Sequence, residues 1–103
     1  MSETSPFAQT FIIQYCRDFL RDAWDMPELV SESSQMEPLL EEIMERNEYS
    51  IRELARVERL LTACEMKIMN LYARFPDSNF LSTMYSRVSS LKSMARNIIN
   101  PAE

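Results

Sequence analysis

Between Leu40 and Phe75 the apolar side chains recur with a heptad period that is never lost. With Leu40 at position a, the a positions are Leu40, Asn47, Leu54, Leu61, Ile68 and Phe75, and the d positions are Ile43, Ser50, Val57, Cys64 and Leu71. The spacing predicts one long helix over 37–75, whose stretch from Leu39 to Phe75 alone would run about 55 Å, with a stripe suited to another helix. Asn47 beside Ser50 forms a polar layer in that stripe, the arrangement that fixes register at a cost in stability. Replacing Asn47 by Ile is therefore expected to raise stability and loosen partner choice. The start of this helix falls within Ser34 to Pro38, since Ser34-x-x-Glu37 has capping-box form and Pro38 suits a first helical turn.

Pro76 interrupts the pattern, and Asp77, Ser78 and Asn79 are candidate caps for a further helix over 78–99. Its seam is Leu81, Met84, Val88, Leu91, Ala95 and Ile98, ending before Asn100-Pro101. The register is short by one residue across Pro76, and the absence of glycine favours a kink there over a reversal. At the other end, Ser5-Pro6 opens a helix over 6–25 with a broad apolar face: Phe7, Phe11, Ile12, Tyr15, Cys16, Phe19, Leu20, Ala23 and Trp24. Asp18, Asp22 and Asp25 on its polar side would be repelled by anionic lipid, so this face is expected to pack in a helical core. Pro27 ends the helix, and Ser31 to Gln35 reads as a polar connection.

Composition narrows the fold class. The 103 residues include no glycine and five prolines, which argues against tight β-hairpins. The expectation is an all-α chain: an N-terminal amphipathic helix, a long coiled-coil helix and a shorter C-terminal helix, forming one elongated module over 1–103. With no histidine, His-based triads and His metal ligands are excluded, and without glycine so are Gly-rich phosphate loops. Glu37, Glu41, Glu42, Glu45 and Glu48 have solvent-facing spacing, so a hydrated face is favoured over a metal or acid-base cluster. No enzyme activity and no cofactor are expected.

Net charge is −5 but unevenly spread. Eleven acids against Arg17, Arg21 and Arg46 leave residues 1–50 at −8, while five acids against eight Lys and Arg leave 51–103 at +3. That polarity favours folding the halves together or antiparallel pairing with another chain, and disfavours nucleic acid. Arg87, Lys92 and Arg96 suit an acidic partner helix. The eight methionines, among them Met44, Met66, Met69, Met84 and Met94, suit core filling, with an adaptable surface as the alternative. Cys16 and Cys64 lie far apart on apolar faces without a Cys-x-x-Cys, which points to buried reduced thiols and a cytoplasmic setting. The first thirty residues have neither a basic start nor a long apolar run, so no targeting or membrane-spanning segment is expected.

From Leu40 to about Pro101, roughly three-fifths of the chain, the sequence resembles the KxDL family of small helical subunits. The residues that carry this are Leu40 and Ile43 before Asn47-Glu48, then Leu81-x-x-Met84-Tyr85-x-Arg87-Val88-x-x-Leu91-Lys92 and Pro101. The Lys-x-Asp-Leu signature itself is absent, with Asn79-Phe80-Leu81 near its place, and helix 7–24 has no counterpart. The resemblance implies a subunit of assemblies for lysosome-related organelle biogenesis and lysosome or endosome positioning. The expected function is a non-enzymatic coiled-coil subunit of a hetero-oligomeric cytoplasmic complex of helical proteins, organelle-associated through its partners, with no direct membrane insertion. Its partner-binding seam would be Leu40, Ile43, Asn47, Leu54, Val57, Leu61, Cys64, Ile68, Leu71, Phe75, Leu81, Met84, Val88, Leu91 and Ile98. Two alternatives share these helices: a kinetochore, spindle or centrosome assembly subunit, and a compact helical regulatory binder of a host or partner helix. Folding of the first helix back onto the rest would favour the last.

Overall fold

Short stretches of local chemistry start and stop each helix, and they divide the chain differently from the heptad. The computed structural model describes residues 6–100, with side chains from Phe11 onward; Ser5 and the side chain of Phe7 lie outside what is described. Helix α1 spans Pro6–Asp22, α2 Val30–Arg46, α3 Ile51–Arg74 and α4 Asn79–Ile99, with a 3-10 turn at Pro27–Leu29 leading into α2. The described residues contain no strand.

The single helix expected over 37–75 is two helices. Asn47 adopts left-handed geometry, φ 61°, and its N–H donates to the Ile43 carbonyl at 2.7 Å, closing α2. Asparagine tolerates this conformation better than other non-glycine residues, so a chain without glycine can still reverse here. Three residues later Ser50 opens α3 with a reciprocal capping box. Its hydroxyl accepts the Glu53 N–H at 3.1 Å, and the Glu53 carboxylate accepts the Ser50 N–H at 2.9 Å. Arg46 clamps the turn by donating to Glu53 at 2.7 Å and to the Glu48 carbonyl at 3.2 Å. Asn47 is thus an exposed turn residue and not a buried register pin.

The break at Pro76 is likewise a reversal and not a kink. The Ser78 N–H donates to the Phe75 carbonyl at 3.1 Å, a four-residue turn with Pro76 second, where its fixed φ fits. The Ser78 hydroxyl then accepts the Leu81 N–H at 3.1 Å and caps α4.

At the first connection Pro27 marks the boundary as expected, with Met26 extended before it. Helix α2, however, begins at Val30 and runs through Ser31 to Gln35 with Pro38 inside it. An interior proline loses a backbone hydrogen bond and costs roughly 3 kcal/mol. The offset is burial: Leu29, Met36, Leu40 and Ile43 lie along one face, each at most 2% exposed. Large aliphatic side chains contribute about 1.5–3 kcal/mol apiece when fully buried.

Each helix packs on its neighbours in sequence, α1 on α2, α2 on α3 and α3 on α4, and α4 closes the ring against α1. The diagonal helices lie further apart, and across the core the buried Cys16 of α1 and Cys64 of α3 are near enough to interact. The α2/α3 pair is antiparallel: Arg46–Glu53 at one end and Glu32–Lys67 further along obey one register. The α3/α4 pair is antiparallel too, shown by Glu65–Lys92 and by the Tyr72/Tyr85 rings at 6.5 Å. The result is a four-helix bundle around one core that draws on every helix. Its radius of gyration, 13.8 Å, is close to the roughly 13 Å of a compact domain of 100 residues. The principal extents are 45 × 31 × 19 Å, less than the 55 Å helix expected from the heptad alone.

Candidate partner-binding surfaces

The seam assigned to partner helices lies inside the molecule. Leu40, Ile43, Leu54, Val57, Leu61, Cys64, Ile68, Leu81, Met84, Val88 and Leu91 are all buried in the chain's own core. Leu71 and Ile98 are half-buried at its edge, while Asn47 and Phe75 are exposed at the two turns. The heptad identified apolar positions correctly, but its complementary surface is supplied by the other helices of the same chain. The charges follow the same logic. Arg87, Lys92 and Arg96, read as a ladder for an acidic partner, pair instead with Asp22 of α1 and with Glu65 and Glu58 of α3, at 2.6, 2.6 and 2.7 Å. Arg87–Asp22, with Lys67–Glu32 and Arg46–Glu53, joins the two halves of the sequence, whereas the Lys92 and Arg96 pairs lie within residues 51–103.

The apolar face of α1 is divided. Ile12, Cys16, Phe19, Leu20 and Ala23 are buried, together with Ile13, which the periodicity did not assign. Phe11, Tyr15 and Trp24 were expected to pack but are 42%, 44% and 77% exposed. Phe11 and Tyr15 stack on each other, ring centres 5.7 Å apart and 11° from parallel. Tyr15 forms one wall of a cleft of about 340 Å³ between α1 and α4, whose other lining is Asp18, Ser86, Arg87, Ser90, Leu91 and Met94. Arg87 is fixed at the margin of this cleft by Asp22 and by the Phe19 ring, whose centre is 5.8 Å from its guanidinium carbon. An aromatic wall, a thioether and two serine hydroxyls form a surface able to take apolar side chains and the edge of a polar one.

Two further depressions have different chemistry. Trp24 borders a cleft of about 510 Å³ between α1 and α2, crossed by the Arg17–Glu41 pair at 3.4 Å. Between α2 and α3 runs a groove of about 900 Å³ with Glu41, Glu42 and Glu45 on the α2 bank and, on the α3 bank, Arg52, Arg56 and Arg59 beside Glu53, which is paired with Arg46. Glu37, Glu41, Glu42, Glu45 and Glu48 are all exposed, and no group of three metal-ligating side chains occurs among the described residues.

The methionines divide in the same manner as α1. Met26, Met36 and Met84 fill the core, Met44 and Met94 lie half-buried at its edge, and Met66 and Met69 are exposed on α3. Both cysteines are free and buried. Burial pushes the Cys16 thiol up to about 12, helped by the charge of Cys64, and pushes Cys64 up to about 12 with Glu32 adding to the effect. Such thiols are poor nucleophiles at neutral pH. No helix is long and apolar enough to cross a membrane among the described residues.

No protein-family model matches the chain, and neither curated proteins nor solved structures yield a match.

Proposed function

We propose that this chain is a non-enzymatic, compact helical binding module that takes an amphipathic helix of another protein on its α1/α4 face. The observation that carries this reading is the stacked, exposed Phe11/Tyr15 pair beside the cleft, on a helix whose other described apolar side chains are buried. Exposed aromatic side chains next to a shaped, partly apolar cleft are the usual anchors of helix-in-groove recognition. A coiled-coil subunit of a lysosome- or endosome-positioning complex would need the Leu54–Ile68 stripe at its surface, whereas that stripe packs against the chain's own helices. The reduced thiols fit a reducing compartment, and the cytoplasm is the proposed setting.

The test uses wild-type and Tyr15→Glu chains as paired baits, with circular dichroism showing equal helicity. Tyr15 is 44% exposed, so the substitution leaves the core intact. Helical partners retained by the wild type and lost by Tyr15→Glu support the module. Identical bound sets contradict it.

A further inference from the structure

The α2/α3 groove carries its charge in two rails. Glu41, Glu42 and Glu45 form the bank on α2, and Arg52, Arg56 and Arg59, at helical spacings of four and three, form the bank on α3, where Glu53 also lines the groove but is paired with Arg46. The antiparallel register set by Arg46–Glu53 brings Arg56 level with Glu42 and Glu45. Of the six, Glu41 alone makes an ion pair within the described chain, and that pair is with Arg17 of α1, away from the groove. Opposite charges therefore face each other across about 900 Å³ of open groove without closing on it, above Pro38 and the half-buried Leu39.

We infer that this groove is a self-complementary surface on which two copies of the chain pair about a two-fold axis running along the groove. A polyanion would meet the glutamate rail and a polycation the arginine rail, so neither fits the whole surface. The complement is a surface bearing the same two rails with their sides exchanged. Rotation by 180° about an axis along the groove produces that surface: it preserves level and swaps sides, so each copy's Glu42 and Glu45 lie over the other's Arg56, and Glu41 over Arg59. An axis across the groove would set glutamate on glutamate. Charge thus selects one of the two in-plane two-fold arrangements, and the resulting contact is isologous. Exposed ion pairs are individually weak and screened by salt, so the dimer is a weak one, with a dissociation constant on the order of 100 μM at low ionic strength.

Sedimentation equilibrium over about 10–500 μM tests the pairing. The wild type should pass from one chain to two across this range at low salt, and raising salt to about 0.5 M should weaken association at least tenfold. Glu42→Arg with Glu45→Arg makes both rails basic, and Arg56→Glu with Arg59→Glu makes both acidic. Each double variant alone should remain a single chain. Their equimolar mixture should form a heterodimer, because every rail then meets its opposite on both sides. All four positions are exposed or rim the groove, and unchanged helicity by circular dichroism identifies folded samples; Glu42→Gln with Glu45→Gln, which should weaken association about fivefold, serves if a reversed variant misfolds. A wild type that stays a single chain at 500 μM and low salt, reversed variants that self-associate like the wild type, or a mixture that fails to pair would each overturn the inference.

Discussion

The α3–α4 hairpin and the α1–α2 half are built from similar amounts of apolar sequence but are held in different ways. In the hairpin, a capped turn starts α4 at Ser78, and the shared face is lined from Leu54 to Ile68 and from Leu81 to Ala95 by buried side chains. Ion pairs flank that face: Glu65 accepts from both Lys92 and Ser89, and Glu58 from Arg96. The α1–α2 half has a longer connection, one exposed Arg17–Glu41 pair, a cleft between its helices, and three aromatic side chains turned outward, Phe11 and Tyr15 on α1 and Trp24 just after it. The hairpin is where this fold concentrates its packing. The α1 side retains apolar surface that its own core does not use, and that is the surface proposed for binding.

The largest effect should come from the centre of the hairpin. Leu61 is 0% exposed, and Leu61→Asp would leave an unpaired charge in the core, costing roughly 4 kcal/mol or more and abolishing cooperative unfolding in denaturant. A Leu61→Asp chain that still unfolds in one sharp transition would place the seam outside the core.

Next comes the α2–α3 turn that separates the two halves. Asn47→Ile forces a β-branched residue into left-handed geometry and should cost about 1–2 kcal/mol, while Asn47→Gly should be neutral or slightly stabilising. This reverses the expectation from the heptad, in which Ile was to fill a core position. Urea denaturation of the two variants decides between a turn and a seam.

A smaller effect should appear with acid. Burial alone would raise Glu65, but hydrogen bonds from Lys92 and Ser89 outweigh it and hold the carboxyl below the usual 4.5. Glu53 is lowered by Arg46 and then by Ser50. A carboxylate depressed in the folded state adds stability above its unfolded value and loses it as pH falls through the folded value. Stability should therefore decline below about pH 4.5, and Glu65→Gln should flatten that decline in a series of melts.

The smallest effect is expected at Trp24, 77% exposed. Trp24→Ala should change stability by no more than about 0.5 kcal/mol, and the native tryptophan fluorescence should resemble that of the unfolded chain in wavelength. A large loss on substitution would mean that α1 packs more tightly than its exposure indicates.

Much of this architecture was legible in the residues, and the misreadings have specific causes. The absence of glycine indicated an all-α chain, and Pro27 and Ser78 marked real boundaries. The apolar positions of α3 and α4 were found individually. Their destination was not, because a heptad specifies a face and not whether its complement is in the same chain. Asn47 and Ser50 fit a polar seam layer and a helix–turn–helix reversal equally well. The distinguishing signal was Ser50-x-x-Glu53, a capping box that a continuous helix would not require. The start of α2 was obscured because Glu32 and Ser33 interrupt the apolar spacing from Leu29 to Met36; Glu32 is nevertheless buried, paired with Lys67 at 3.0 Å. On α1, periodicity marked a face wider than the core could cover, and nothing in the spacing distinguished Phe19, which is buried, from Tyr15, which is not. The arginine spacing at 52, 56 and 59 was visible in the sequence, but its opposition to the α2 glutamates depends on the turn at Asn47.

These helices complete a core by themselves. Thermal unfolding of the isolated chain, followed by helicity at about 1 and about 20 μM, where the proposed weak dimer is largely dissociated, tests it most directly. A single cooperative transition with the same midpoint at both concentrations is the predicted result. Partial helicity that melts without a transition, or a midpoint that rises with concentration, would mean that the Leu54–Ile68 stripe needs another chain to cover it.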